Sequence, residues 1–271
     1  MTRNIYKNLL CFALALTFGL IFNSVPVLAA VTETLTADKE VDATIVIEED
    51  TVYDLNGHTL SLKDGAMGSV FYVKGNAALT IQDSAGKGII TGGKALNNRL
   101  FEIDEYDFGR GGQVNVTDGC GGAVYEESGA ELIMSGGTIE GNRAEQGGGI
   151  YLESGAEFHV SGTVNISGNY RGETGETEDN VFLPLDSEYE QSAIIIDGNL
   201  SEDSSIGVTP AIRSEDGIIV TSGLNGKGTA DNFTSDEDKS VLIEKDEAVL
   251  YKSGLTHHHD KIGFTAWDQA N

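Results

Sequence analysis

A stretch of the chain repeats itself every 26 residues, and that period constrains the fold more than any other feature. Gly121-Gly-Ala-Val-Tyr-Glu-Glu-Ser-Gly-Ala-Glu-Leu-Ile-Met-Ser-Gly136 returns as Gly147-Gly-Gly-Ile-Tyr-Leu-Glu-Ser-Gly-Ala-Glu-Phe-His-Val-Ser-Gly162. The match runs on to Gly141-Asn142 and Gly168-Asn169 with one residue inserted. Residues 68–81 fit the second copy at an offset of 79, close to three periods. Asn180-Val-Phe-Leu183 fits Gly149-Ile-Tyr-Leu152 after an acidic insertion at 172–179. Four copies are recognisable, with an irregular unit around Phe101-Glu-Ile-Asp104.

Within a copy the apolar period is two. Phe71, Val73, Leu79 and Ile81 alternate with Tyr72, Lys74, Ala78 and Thr80. Val124, Leu132, Met134, Ile150, Leu152, Phe158 and Val160 fall on the same phase. Short alternating runs between Ser-Gly and Gly-Gly corners are strands, and glycine at nearly every corner excludes a helical repeat. One such unit cannot bury its own inward row, so stability has to come from stacking on neighbours. Gly141-Asn142 and Gly168-Asn169 should then stack as an asparagine ladder, each amide bonding to the next. Glu126 is an exception, since it takes the inward phase of Val73 and Leu152; as a strand-end residue it is expected to bend out to water. The pattern predicts an all-β chain, a parallel β-helix of about eight coils.

Export is the next reading. Arg3 and Lys7 precede an apolar run from Leu9 to Phe22, and Val27-Leu28-Ala29 supplies small residues for cleavage, so residues 1–30 read as a signal peptide. Without Arg3 and Lys7 the chain carries 15 basic against 43 acidic residues, and no second run of membrane length follows. That charge balance excludes nucleic acid as a partner. The expected protein is secreted or held at the cell surface, monomeric, with no membrane span after processing.

Gly-Gly-Gly-Ile-Tyr (147–151), together with Met-Ser-Gly-Gly-Thr-Ile-Glu-Gly-Asn (134–142), resembles the right-handed parallel β-helix repeats of bacterial surface proteins. These include the adhesin-like proteins of gut Firmicutes. Asp54-Leu-Asn-Gly-His-Thr-Leu60 is similar to their opening coil, and Asp179-Asn-Val-Phe-Leu183 with Ser205-Ile-Gly-Val-Thr209 to their closing coil. Asn232-Phe-Thr-Ser-Asp236 through Leu250 resembles the hairpin-like tail that follows. The resemblance implies a pectate-lyase-like solenoid over residues 31–215 and a β-rich closing segment over 216–252. Residues 253–271 are then a linker or the stub of a further module. It implies an adhesin-like role and no particular reaction.

Stacking turns the alignment into candidate sites. Tyr72, Tyr125, Tyr151 and Phe182 fall in one outward column, expected as an exposed ladder. Such a ladder is either a platform for sugar rings or a stack in which neighbouring rings stabilise one another. Glu127 falls over Glu153, and Glu131 over Glu157. A calcium ion bridging such carboxylates is the cofactor the pattern offers, and full solvation of both pairs is the alternative. Glu102, Asp104 and Asp107 with Arg110 form the best local set for a polysaccharide lyase or glycoside hydrolase. An abundance of acids accounts for that run equally well. His257-His-His-Asp260 reads as linker, and neither His58 nor His159 has a nucleophile partner, so no triad is supported.

The expected function is therefore a non-catalytic, adhesin-like solenoid presenting an elongated surface to glycans or other cell-surface ligands. A polysaccharide lyase or glycoside hydrolase is the first alternative, and a structural spacer or truncated module the second.

Overall fold

In a computed structural model the described residues are 30–96 and 119–252, apart from 187 and 189. All but the last residue of the export segment, the acidic set at Glu102, Asp104, Asp107 and Arg110, and the tail from 253 lie outside them. The described chain is almost wholly β, and its helical content is one 3-10 turn at Ala230–Asn232. No helix among the described residues is long and apolar enough to cross a membrane.

Seventeen strands join in one large curled sheet in which every pairing is parallel. The architecture is that of a solenoid-like stack, consistent with a β-helix. On the first face Val31–Thr34 pairs with Thr51–Asp54, which pairs with Ala78–Gln82. The stack continues through the first halves of Glu131–Ile139 and Glu157–Ile166 to Ile194–Leu200 and Thr221–Ser222. That makes seven rungs among the described residues. A second face stacks Lys39–Val41, Thr59–Leu62, Ile89–Thr91 and the second halves of the two long strands, then Ser205–Pro210 and Phe233–Ser235. A third stacks Ile45–Ile47, Phe71–Val73, Val124–Glu126, Ile150–Leu152 and Val181–Leu183, and ends on Val208–Pro210. A small antiparallel sheet of Ile218–Ile219, Glu247–Lys252 and Lys239–Glu244 lies beyond the last rungs.

The repeat offset of 79 misleads on one point. Phe71–Val73 pairs directly with Val124–Glu126 on this face. The offset of 79 therefore covers two steps of the stack, in place of three.

The inward phase read from the sequence is the core. Phe71, Leu79, Ile81, Leu132, Met134, Ile150 and Phe158 are fully buried, each large aliphatic or aromatic side chain stabilising the fold by about 1.5–3 kcal/mol relative to exposure. Corners are fixed by two different demands on glycine. Asn76, Gly129 and Gly155 hold the same turn position with φ of 71°, 81° and 88°, a conformation that asparagine and glycine tolerate best. Their turns stack by backbone bonds, Asn76 N–H to Gly129 O at 2.9 Å and Gly129 N–H to Gly155 O at 3.0 Å. At Gly93, Gly122 and Gly148 the demand is space. A Cβ there would stand 1.8, 2.0 and 2.5 Å from a carbonyl oxygen of the adjoining rung.

The asparagine ladder forms as expected and extends further. Asn142 Nδ2 donates to Asn169 Oδ1 at 2.9 Å, and Asn169 Nδ2 to Asn180 Oδ1 at 3.0 Å. Asn180 Nδ2 donates to Asp236 Oδ1 at 2.6 Å. The three asparagines are fully buried. Each also takes a backbone N–H on its side-chain oxygen, from Gly93, Asn142 and Asn169 in turn.

Glu126 departs from expectation. It does not bend out to water: it is fully buried on the inward phase, in register between Val73 and Leu152. Strand alternation holds it there, since Tyr125 beside it takes the outward phase and Glu126 must take the inward one.

Candidate functional site: the aromatic column and its carboxylates

Register puts Tyr72, Tyr125, Tyr151 and Phe182 on four consecutive rungs, with Val46 before them and Thr209 after. Tyr125 and Tyr151 stack with centroids 5.6 Å apart and planes 8° apart, and Tyr151 and Phe182 at 5.2 Å and 6°. Tyr72 meets Tyr125 edge to face at 5.4 Å. The faces are turned on one another, so the column is far less exposed than a free ladder. Residual exposure is 9% at Tyr72, 9% at Tyr125 and 8% at Phe182, and Tyr151 keeps more.

Glu127 and Glu153, read as calcium-bridged or fully solvated pairs, are engaged by the neighbouring rings and turns. Tyr72 donates its hydroxyl to Glu127 Oε1, and Gly75 N–H donates to Glu127 Oε2 at 2.9 Å. One rung on, Tyr125 donates to Glu153 Oε1, and Ser128 N–H to Glu153 Oε2 at 3.0 Å. Each glutamate thus reaches back one rung and ties a ring and a turn together. The Tyr72 bond, then the Gly75 amide, hold the Glu127 carboxyl below its ordinary range. Burial, followed by Glu127, pushes the Tyr72 hydroxyl up to about 12, and burial and Glu153 raise Tyr125 in the same direction. The series breaks at Tyr151, whose hydroxyl has no hydrogen-bond partner among the described residues. Two positions past Phe182 the chain carries Pro184 where Glu127 and Glu153 stand in the earlier rungs.

Glu131 and Glu157 are in register on the first face, and the His159 imidazole lies against both. His159 Nε2 lies 3.4 Å from Glu157 Oε2 and 3.6 Å from Glu131 Oε1, while its Nδ1 lies 3.0 Å from Asp197 Oδ2. The side chain is 15% exposed and spans three rungs. Among the described residues no group of three or more His, Cys, Asp and Glu side chains is arranged to hold a metal ion. Glu127 and Glu153 bind tyrosine hydroxyls and backbone amides, and Glu131 and Glu157 lie against His159.

Three groups escaped the sequence reading. Asp236 ends the asparagine ladder from a loop that matches no repeat. His159 has no nucleophile partner in the sequence, and the group it meets, Asp197, lies on a strand outside the four copies. Asp179 is buried, with Oδ2 bound by Arg171 at 2.6 and 2.9 Å and by Gly147 N–H at 3.1 Å, while Oδ1 has no hydrogen-bond partner. Its place at the end of the acidic insertion hid it among seven neighbours that are mostly exposed.

Comparison with known protein families, curated proteins and solved structures found no match to the chain.

Proposed function

We propose that the protein is an exported right-handed parallel β-helix, adhesin-like and non-catalytic, that presents a rigid lengthwise surface to glycans or other cell-surface ligands. The observation that carries this reading is the unbroken register of the first face through seven rungs, roughly 30 Å at the usual inter-strand spacing. Long solenoids offer extended binding faces of this kind. Ligand contact at the aromatic column centres on Tyr151, the ring with the most exposure and a hydroxyl that no described residue hydrogen-bonds. A pure spacer is the second reading, favoured by the sealing of the Tyr72 and Tyr125 hydroxyls against Glu127 and Glu153.

The purified protein, applied to acidic and neutral polysaccharides with and without calcium, tests both. Retention without new reducing ends or unsaturated products, weakened at least tenfold by Tyr151→Ala, is the expected result. Retention of nothing on the panel points to the spacer. Turnover that disappears when Glu102, Asp104 and Asp107 are neutralised would make the protein a polysaccharide lyase or glycoside hydrolase instead.

A further inference from the structure

Val124–Glu126 carries a carboxyl where its neighbours in the stack, Phe71–Val73 and Ile150–Leu152, carry Val73 and Leu152. Glu126 is fully buried, and both of its carboxyl oxygens lack a hydrogen-bond partner among the described residues. An ionised carboxylate in that position would lose its hydration with nothing to replace it, a penalty large enough that the group takes up a proton instead. The inward residues in register with it on either side, Val73 and Leu152, are apolar and buried. The charged groups that act on it stand at the starts of the first-face strands, Glu131 and Glu157, and both are negative. Among the described residues no cation is felt by it.

We propose that Glu126 is a proton-dependent lock on the stack: neutral, it lets Val124–Glu126 lie between its two neighbours, and on losing its proton it releases that strand locally. Burial, reinforced by Glu131 and Glu157, moves the carboxyl well above its ordinary range. The direction follows from linkage. The folded state holds the proton more tightly than the open state, so the lock is fully closed below the ordinary glutamate range of about 4.3. Closure weakens about tenfold per pH unit above that range, until the folded state ionises as well. A solenoid tolerates such an event because each rung contacts only its neighbours, so one strand can open without unfolding the stack.

Hydrogen exchange of the amides in 124–127 and 150–153, corrected for intrinsic rate, reads the lock directly between pH 5 and pH 9. Wild type should lose at least tenfold protection there, while Glu126→Gln and Glu126→Leu stay flat. Two variants are needed because the larger change in shape at leucine risks perturbing the fold by itself. An infrared difference between wild type and Glu126→Gln at pH 6 should show the carbonyl stretch of a protonated carboxylic acid. Protection that does not change in wild type across this range overturns the proposal, as does an equal loss in both variants or a carboxylate signal at pH 6.

Discussion

Asn180 gives both its backbone N–H and its side-chain amide to the Asp236 carboxylate, at 2.6 Å in each case, so the asparagine ladder ends on a group that titrates. Thr209 adds its hydroxyl at 2.8 Å. Burial dominates nonetheless, and with Asp179 nearby it moves Asp236 up to about 6 against the opposing hydrogen bonds.

A folded pKa above the unfolded one stabilises the acid side. The contribution of Asp236 is fully present below about pH 4 and is lost as pH rises to about 6, a change of about 3 kcal/mol. Asp236→Asn cannot titrate, but its amide leaves one of the Asn180 donors facing another donor. The variant should be less stable than wild type at pH 4 and should close or reverse that gap by pH 7. Urea unfolding of both proteins across this range checks it, and a constant gap would show that Asp236 does not titrate there.

In the middle of the ladder, Asn169 also donates to the carbonyls of Ile139 at 2.9 Å and Ser167 at 3.1 Å. Asn169→Ala strips a buried acceptor from Asn142 and leaves those carbonyls with one donor fewer. The expected loss is about 3 kcal/mol, read by thermal or urea unfolding.

Gly122→Ala should be far more damaging than Gly129→Ala, although both replace a corner glycine. At Gly122 the new Cβ would sit 2.0 Å from Gly148 O, a backbone atom that cannot yield without breaking the stack. At Gly129 nothing lies within 4 Å and the penalty is the left-handed backbone, about 1–2 kcal/mol. Soluble yield and melting temperature separate the two: Gly129→Ala folds, and Gly122→Ala does not accumulate as folded protein.

Tyr125→Phe and Glu153→Gln probe one tie between rungs. Because the pair is partly exposed, their coupling in a double-mutant cycle is expected at about 1 kcal/mol. Tyr151→Phe has no such bond to lose and should leave stability within about 0.5 kcal/mol of wild type.

Much of this was legible in the sequence, and the reason is periodicity. A phase of two assigned Leu79, Leu132 and Phe158 inward, and Tyr72, Tyr125, Tyr151 and Phe182 to one outward column, because the register of a stacked repeat carries over from copy to copy. What the alignment lacked was depth. It placed the rings in a column without showing that each covers the next, so the ladder read as exposed. It placed Glu127 over Glu153 but not the backward reach of each glutamate to a tyrosine on the rung before. Asp236 and Asp197 enter from segments without repeat character, and a local pattern cannot anticipate partners 56 residues from Asn180 or 38 from His159. Glu126 was singled out by its phase and misjudged by its chemistry, since an unpartnered carboxyl is the last group expected in a core.

A rigid rod of seven stacked rungs underlies the binding reading, and its length can be measured. Thr32 and Ser222 are exposed ends of one first-face column that runs through Val52, Thr80, Ile133, His159 and Ile195. With Cys11 and Cys120 replaced by serine, spin labels at Thr32 and Ser222 should report one narrow electron–electron distance near 30 Å, six inter-strand spacings. A distance longer by about 5 Å or more, or a broad distribution, would contradict this stacked rod.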